Sequence, residues 1–139
     1  MTKPTENIVV TIRDMERLLG LIDSTGDERS QAAVEALESE LSRAQVVDPQ
    51  DVPPDVVTMN SRVVYRDEER QVTREVTLCY PRDARMGEGR VSVLAPIGAA
   101  LLGLRVGQGI DWELPGGGRT RLSVVAVPYQ PESQGHWHL

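Results

Sequence analysis

The first 25 residues change from a strand-like to a helical spacing of apolar side chains. Residues 7–12 (NIVVTI) are apolar and largely β-branched, which predicts a short strand. The apolar residues after them follow the spacing of one helix face: Met15, Leu18, Leu19 and Ile22. We therefore predict a helix over residues 14–24, with Asp14 as its N-terminal cap and Gly26 as a left-handed stop.

A second helix is predicted directly after the first. Its apolar residues have the three–four–three spacing of a coiled-coil seam: Val34, Leu37, Leu41 and Ala44. Asp27 or Ser30 can cap it, and a length of about 18 residues would make it about 27 Å long. Because the connection is short, we expect the helices to pack antiparallel as a hairpin. The hairpin is either an ordinary element folded onto a core or a projecting acidic finger, and the pattern alone favours the former.

A proline-rich segment, VVDPQDVPPDV (46–56), follows the hairpin. Proline lacks the backbone N–H and restricts its predecessor, so the second helix has to end there. The β-rich runs beyond it are predicted strands: 56–67, 73–80, 91–94, 110–114 and 120–127. One brief helix over 96–102 completes an antiparallel sheet domain, and the chain is of α+β class. We divide it into residues 1–48, the strand and hairpin, and residues 49–139, a domain expected to fold without the hairpin.

The charge of the chain is acidic and uneven. The 139 residues have a formal net charge of −6, and residues 1–48 carry ten acidic against five basic side chains. This field repels a phosphate backbone, so we expect no strong direct nucleic-acid binding. No apolar run approaches the ~20 residues that cross a bilayer, and the N-terminus lacks a signal-peptide pattern. We therefore expect a soluble cytoplasmic protein with no membrane partner.

Candidate chemistry in the C-terminal part is sparse. The glycines at 116–118 lie between predicted strands with no lysine after them, which favours a hairpin turn over a phosphate loop. His136 and His138 frame Trp137 without a carboxylate nearby, so a solvated tail is favoured over a metal site. The single cysteine, Cys79, excludes an internal disulfide and is favoured as a core thiol.

Three acids mark the predicted hairpin turn: Asp23, Asp27 and Glu28. Acids at an exposed turn commonly cap a helix and improve solubility, and this interpretation is favoured. They could also hold a divalent cation through hard oxygen ligands. The residues alone therefore indicate no catalytic centre, no metal site and no cofactor.

Three long segments resemble one known family: ELSRAQVVDPQDVPPDVVTMNSRVVY (40–65), LCYPRD (78–83) and VSVLAPIGAALLGLRVGQGIDWELPGG (91–117). They resemble the regulator of nucleoside diphosphate kinase family, a branch of the Gre-type transcription factors. The resemblance extends over residues 40–131. It implies an N-terminal antiparallel coiled-coil finger and a C-terminal domain with the FK506-binding-protein-like fold.

The resemblance also implies a partner. Gre factors dock through the C-terminal domain at the rim of the RNA polymerase secondary channel, using an Asp-Ser-Pro-like loop before the small helix. The matching positions here are Leu94, Ala95 and Pro96, so the proline is kept and the polar residues are replaced. We therefore predict that the main polymerase-binding residues are Val93, Leu94, Ala95, Pro96 and Ile97.

The resemblance further implies regulation without catalysis. A Gre finger carries acidic residues to the polymerase magnesium ions for transcript cleavage, but this hairpin, with about 16 Å of paired helix, is much shorter. The expected protein is a monomer that competes with Gre-type factors without stimulating cleavage, and the family name adds a link to nucleoside diphosphate kinase. The alternative is an enzyme, by residual cleavage stimulation or prolyl isomerase activity. A chain without phenylalanine has few rings to line an isomerase pocket.

Overall fold

The computed structural model describes residues 8–26, 28, 31–86, 89–113 and 118–136. Its helices are α1 (Ile12–Ser24), α2 (Gln31–Ser42) and α3 (Pro96–Leu101). Its strands are β1 (Val9–Thr11), β2 (Gln45–Val47), β3 (Arg62–Asp67), β4 (Val72–Cys79), β5 (Arg90–Ser92), β6 (Gly109–Glu113) and β7 (Arg119–Tyr129). Within these described ranges, no helix is long and apolar enough to cross a membrane.

The C-terminal strands form one five-stranded sheet in the order β5-β4-β3-β7-β6. Strand β3 pairs antiparallel with β4 and β7, and β6 pairs antiparallel with β7. The α+β class with a mostly antiparallel sheet is thus confirmed. The expectation of a wholly antiparallel sheet is wrong for β5, which pairs parallel to β4. The chain leaves β4 through a 3-10 turn at Asp83–Met86, and β5 then runs in the same direction as β4.

A two-stranded parallel sheet brackets the helical hairpin, because β1 precedes α1 and β2 follows α2. Strand β2 was not predicted, and it explains why α2 is shorter than expected. The amides of Arg43 and Ala44 bond back to the carbonyls of Glu40 and Leu41, and Gln45 then joins β1. Helix α2 therefore has 12 residues and a length of about 18 Å, and the prediction of about 18 residues is wrong.

The predicted end of α1 at residue 24 is correct, but Asp14 as its N-terminal cap and Gly26 as a left-handed stop are wrong. Thr11 is the N-terminal cap: its backbone is extended, and its hydroxyl accepts from the Asp14 amide at 3.1 Å. Strand β1 thus runs directly into the helix, and Asp14 falls inside the first turn. At the other end the helix stops at Thr25, whose hydroxyl donates to the Leu21 carbonyl at 2.7 Å. Gly26 does not adopt a positive φ.

Strand β3 starts six residues later than predicted, because residues 56–61 form a tight loop. The Thr58 amide donates to the Ser61 hydroxyl at 3.0 Å, which closes a turn. Asn60 has a left-handed φ of 68°, and its amide donates to the Leu78 carbonyl at 2.6 Å. This geometry holds the loop against the end of β4.

The hairpin and the sheet share one hydrophobic core. Its N-terminal members are Ile8, Val10, Leu18, Leu37 and Leu41, and among its C-terminal members are Val57, Met59, Val63, Leu78, Val93, Leu101, Leu104 and Ile110. The glycine at 103 joins the two parts, because its carbonyl accepts from Val9 and its amide donates to Val57. With φ at 80° and Ile8 against it, this position leaves no room for a side chain. The shared core is evidence against the expectation that residues 49–139 fold alone.

Candidate functional site

The candidate docking loop, residues 93–97, joins β5 to α3 at one edge of the five-stranded sheet. Val93 is fully buried in the core, so its side chain is not available to a partner in this structure. Leu94, Ala95 and Ile97 are half-buried, and Leu94 and Ile97 also pack against the core. The Pro96 side chain lies outside the described part of the chain. The loop therefore offers a firmly supported apolar edge rather than a protruding leucine.

Two hydrogen bonds that Ser92 accepts fix the path of this loop. Its carbonyl accepts from the Ala95 amide at 2.9 Å, and its hydroxyl accepts from the Leu94 amide at 3.1 Å. The Val93 amide donates across to the Cys79 carbonyl at 2.9 Å, which ties the loop to β4. The sequence interpretation did not single out Ser92, although a serine two residues before a loop amide is a known turn-forming signal.

Helix α3 packs directly beneath the loop because Gly98 has no side chain. A Cβ at this position would collide with the Ser92 carbonyl oxygen, which is backbone and cannot move aside cheaply. The cap of α3 is Ala95, which makes no side-chain capping hydrogen bond, and Pro96 follows it in the first turn. Gly98 is thus required for the close contact of helix and loop.

Two of the three acids predicted at the hairpin turn lie in solvent. Asp23 lies exposed in the last turn of α1, Glu28 is exposed in the connection, and Asp27 lies outside the described residues. In the described part of the chain, no group of three or more His, Cys, Asp or Glu side chains is arranged to hold a metal ion. Toward the C-terminus, the His136 ring contacts the Tyr129 hydroxyl at 2.7 Å, while His138 lies outside the described residues.

Cys79 is a buried thiol, as its position in a strand predicts. Burial raises its pKa above the ordinary value, and Sγ donates weakly to the Val91 carbonyl at 3.5 Å. A thiol with a raised pKa is a poor nucleophile at neutral pH. Cys79 therefore supports the loop from β4, the strand beside β5, and is not part of a reactive site.

A buried carboxyl anchors α1 to the sheet domain. Asp14 is 3% exposed, and its Oδ2 accepts from the Met59 amide at 3.1 Å. Burial is the main cause that raises the pKa of Asp14 to about 7, and the charge of Glu132 adds to it, while the Met59 hydrogen bond and Arg17 oppose it. Glu132 in turn accepts from the Thr58 hydroxyl at 2.7 Å. Helix α1, the loop at 56–61 and the C-terminal segment therefore meet at one polar junction.

Comparison with known proteins defines the class of this fold. Residues 52–129 match the family model described as transcription elongation factor, GreA/GreB, C-term, and residues 6–47 match the model described as Rnk N-terminus. A solved structure described as prokaryotic transcription elongation factor GreA/GreB from Nitrosomonas europaea is similar, with a TM-score of 0.73 and 42% identity. That similarity covers 90% of this chain and 100% of the other. The chain is thus a structural relative of GreA/GreB factors.

The sequence relatives are more specific. The chain is 45% identical over 139 residues, the full length of both proteins, to the regulator of nucleoside diphosphate kinase of Escherichia coli strain K12, and equally to that of Shigella flexneri. It is 34% identical over 86 residues to the transcription elongation factor GreA of Rhodospirillum rubrum. This match covers 62% of this chain and 55% of the GreA chain. The chain belongs to the regulator of nucleoside diphosphate kinase family.

Proposed function

We propose that this protein is a transcription regulator that binds RNA polymerase at the rim of its secondary channel and competes there with Gre-type factors. In this proposal the sheet domain is an FK506-binding-protein-like docking platform, and the hairpin is a short coiled-coil finger. The observation that supports docking best is the loop at 93–97, which presents half-buried apolar side chains at the edge of a domain matching the GreA/GreB model. Covering apolar surface at such an edge with a partner lowers the free energy of the complex.

The dimensions of the hairpin support binding without stimulation of transcript cleavage. Helix α1 has 13 residues and α2 has 12, so the hairpin helices are about 20 Å and 18 Å long. A metal ion accepts a carboxylate ligand only at about 2.1–2.6 Å, so an acid held far from the ion contributes nothing to its coordination. Asp23 and Glu28 are therefore assigned to solvent or to weak contacts in the channel.

A competition experiment tests the proposal. Fluorescently labelled protein is titrated with core RNA polymerase, and unlabelled Gre factor is then added. We expect saturable binding that the Gre factor reverses, and no increase in transcript cleavage when the protein is added to backtracked complexes. Absence of binding contradicts the docking proposal, whereas binding accompanied by cleavage contradicts only the non-catalytic assignment.

The kinase named in the relatives' description is a second partner to test. We propose that the link runs through transcription, so that purified protein leaves the activity of purified nucleoside diphosphate kinase unchanged. In the same proposal the protein is a cytoplasmic monomer. Its affinity for nucleic acid is weak, because its acidic charge repels a phosphate backbone. Direct stimulation or inhibition of the kinase would replace this indirect link with a direct one.

A further inference from the structure

Ser92 contacts the docking loop at two positions and helix α3 at a third. Its hydroxyl accepts from the Leu94 amide, its carbonyl accepts from the Ala95 amide, and the same carbonyl lies against Gly98 of α3. Ser92 is itself the last residue of β5, where it pairs with Cys79 of β4. One residue therefore connects the sheet, the loop and the helix.

The side-chain bond is the part of this arrangement that depends on serine. The hydrogen bond to the Ser92 backbone carbonyl remains when the side chain is replaced. The hydrogen bond to the Ser92 hydroxyl does not, and its donor, the Leu94 amide, is part-buried. A buried amide that loses its acceptor keeps the full cost of desolvation, so the backbone at Leu94 has to rotate or take up water. Either change moves the Leu94 side chain relative to Ala95 and Ile97.

We propose that Ser92 is the positioning residue of the docking loop: its hydroxyl holds Leu94 in the orientation that RNA polymerase binds. This inference rests on the proposed function and adds to it a residue outside the segment 93–97. Ser92 acts through the Leu94 backbone and needs no contact with the polymerase. Its removal should therefore weaken binding while the remainder of the domain keeps its structure.

The test compares Ser92→Ala with Ser92→Thr, which keeps the hydroxyl, and with Ser123→Ala as a matched control. Ser123 on β7 is also half-buried, and its hydroxyl makes no hydrogen bond within the described ranges. Amide hydrogen exchange and affinity for core RNA polymerase are measured for each, well below the melting temperature of the least stable variant. For Ser92→Ala we expect faster exchange at Leu94 but not at Val93, and about five- to ten-fold weaker binding. Ser92→Thr and Ser123→Ala should match the wild type.

The outcomes separate the positioning role from the proposed function. If the wild type does not bind polymerase, the proposed function fails and this inference fails with it. If the wild type binds, and Ser92→Ala binds equally well or keeps the Leu94 amide protected, only the positioning role is overturned. Failure of Ser92→Thr to restore binding also overturns it. If Ser92→Ala does not fold, Ser92→Cys, with its weaker acceptor, takes its place with the same expected loss.

Discussion

Replacing Asp14 by asparagine should make the protein less sensitive to pH. Asp14 is buried at the junction of α1 with the loop at 56–61, where burial raises the pKa of its carboxyl to about 7. An asparagine Oδ1 can accept the same hydrogen bond from the Met59 amide, which the carboxylate accepts at 3.1 Å, but it cannot ionise. The substitution thus removes a buried charge and keeps the bond.

The size and sign of the effect follow from the change in pKa. In the unfolded chain an aspartate titrates near 3.8, so a folded value of about 7 means that the native state binds the proton more tightly. The stabilisation from the bound proton is complete below pH 3.8, falls as the pH rises, and is lost above pH 7. At 1.36 kcal/mol per pH unit, the full loss is about 4 kcal/mol. Burying the asparagine amide also lowers the free energy of unfolding, by an amount that does not change with pH.

Urea unfolding of wild type and Asp14→Asn at a series of pH values measures this directly. The free energy of unfolding of the variant minus that of the wild type should rise from pH 4 to pH 7 by about 2–4 kcal/mol and then level off. Asp23→Asn, on the exposed last turn of the same helix, reports the effect of deleting one carboxylate from α1. A difference for Asp14→Asn that stays constant with pH, or falls as pH rises, would refute the explanation.

Three further predictions concern the loop and the shared core. Ala95→Ser should raise the free energy of unfolding by about 0.5–1 kcal/mol, because it gives α3 the capping hydroxyl that Ala95 lacks; an unchanged urea midpoint would contradict this. Gly98→Ala should lower the free energy of unfolding by about 1–3 kcal/mol, because the new methyl group collides with the Ser92 carbonyl. Gly20→Ala, which has open space on α1, should raise it by about 0.5–1 kcal/mol. Equal effects of the two substitutions in thermal unfolding would rule out the close contact. Residues 49–139 alone should lack a cooperative unfolding transition, because deletion of the N-terminal part exposes the side of the core that Leu18, Leu37 and Leu41 cover. A sharp transition would show that the sheet domain folds without the hairpin.

The periodic parts of the chain could be predicted, because burial acts on residues close in sequence. The spacing of Met15, Leu18, Leu19 and Ile22 located α1, and that of Val34, Leu37, Leu41 and Ala44 located α2. Leu18, Leu37 and Leu41 are buried, but Leu19 is 48% exposed, so the predicted apolar face of α1 is wrong at that position. The short helix predicted over residues 96–102 forms as α3 (Pro96–Leu101), and Gly103 follows its cap with a left-handed φ of 80°. Helix ends were less predictable, since Thr11 and Asp14 are both good capping residues and only the position of β1 decides between them.

The long-range contacts could not be predicted from spacing. Nothing near Val46 indicates that β2 pairs with β1, because that partner lies some 36 positions earlier in the chain. The burial of Asp14 depends on Met59, 45 residues away in sequence. The apolar character of Leu94 suggested an exposed contact, but the same side chain packs against the core, so hydrophobicity alone could not separate a docking residue from a supporting one.

Docking through the loop is tested most directly by one comparison of affinities for core RNA polymerase. Leu94→Asp alters the loop, and Asp27→Ala combined with Glu28→Ala alters the hairpin turn; each is first checked for cooperative unfolding because Leu94 is half-buried. Removing one leucine contact of about 1.5–3 kcal/mol should weaken binding about ten- to a hundred-fold, while screened surface charges at the turn should change it little. A folded Leu94→Asp variant with wild-type affinity, or loss of binding in the turn variant alone, would contradict docking through the loop.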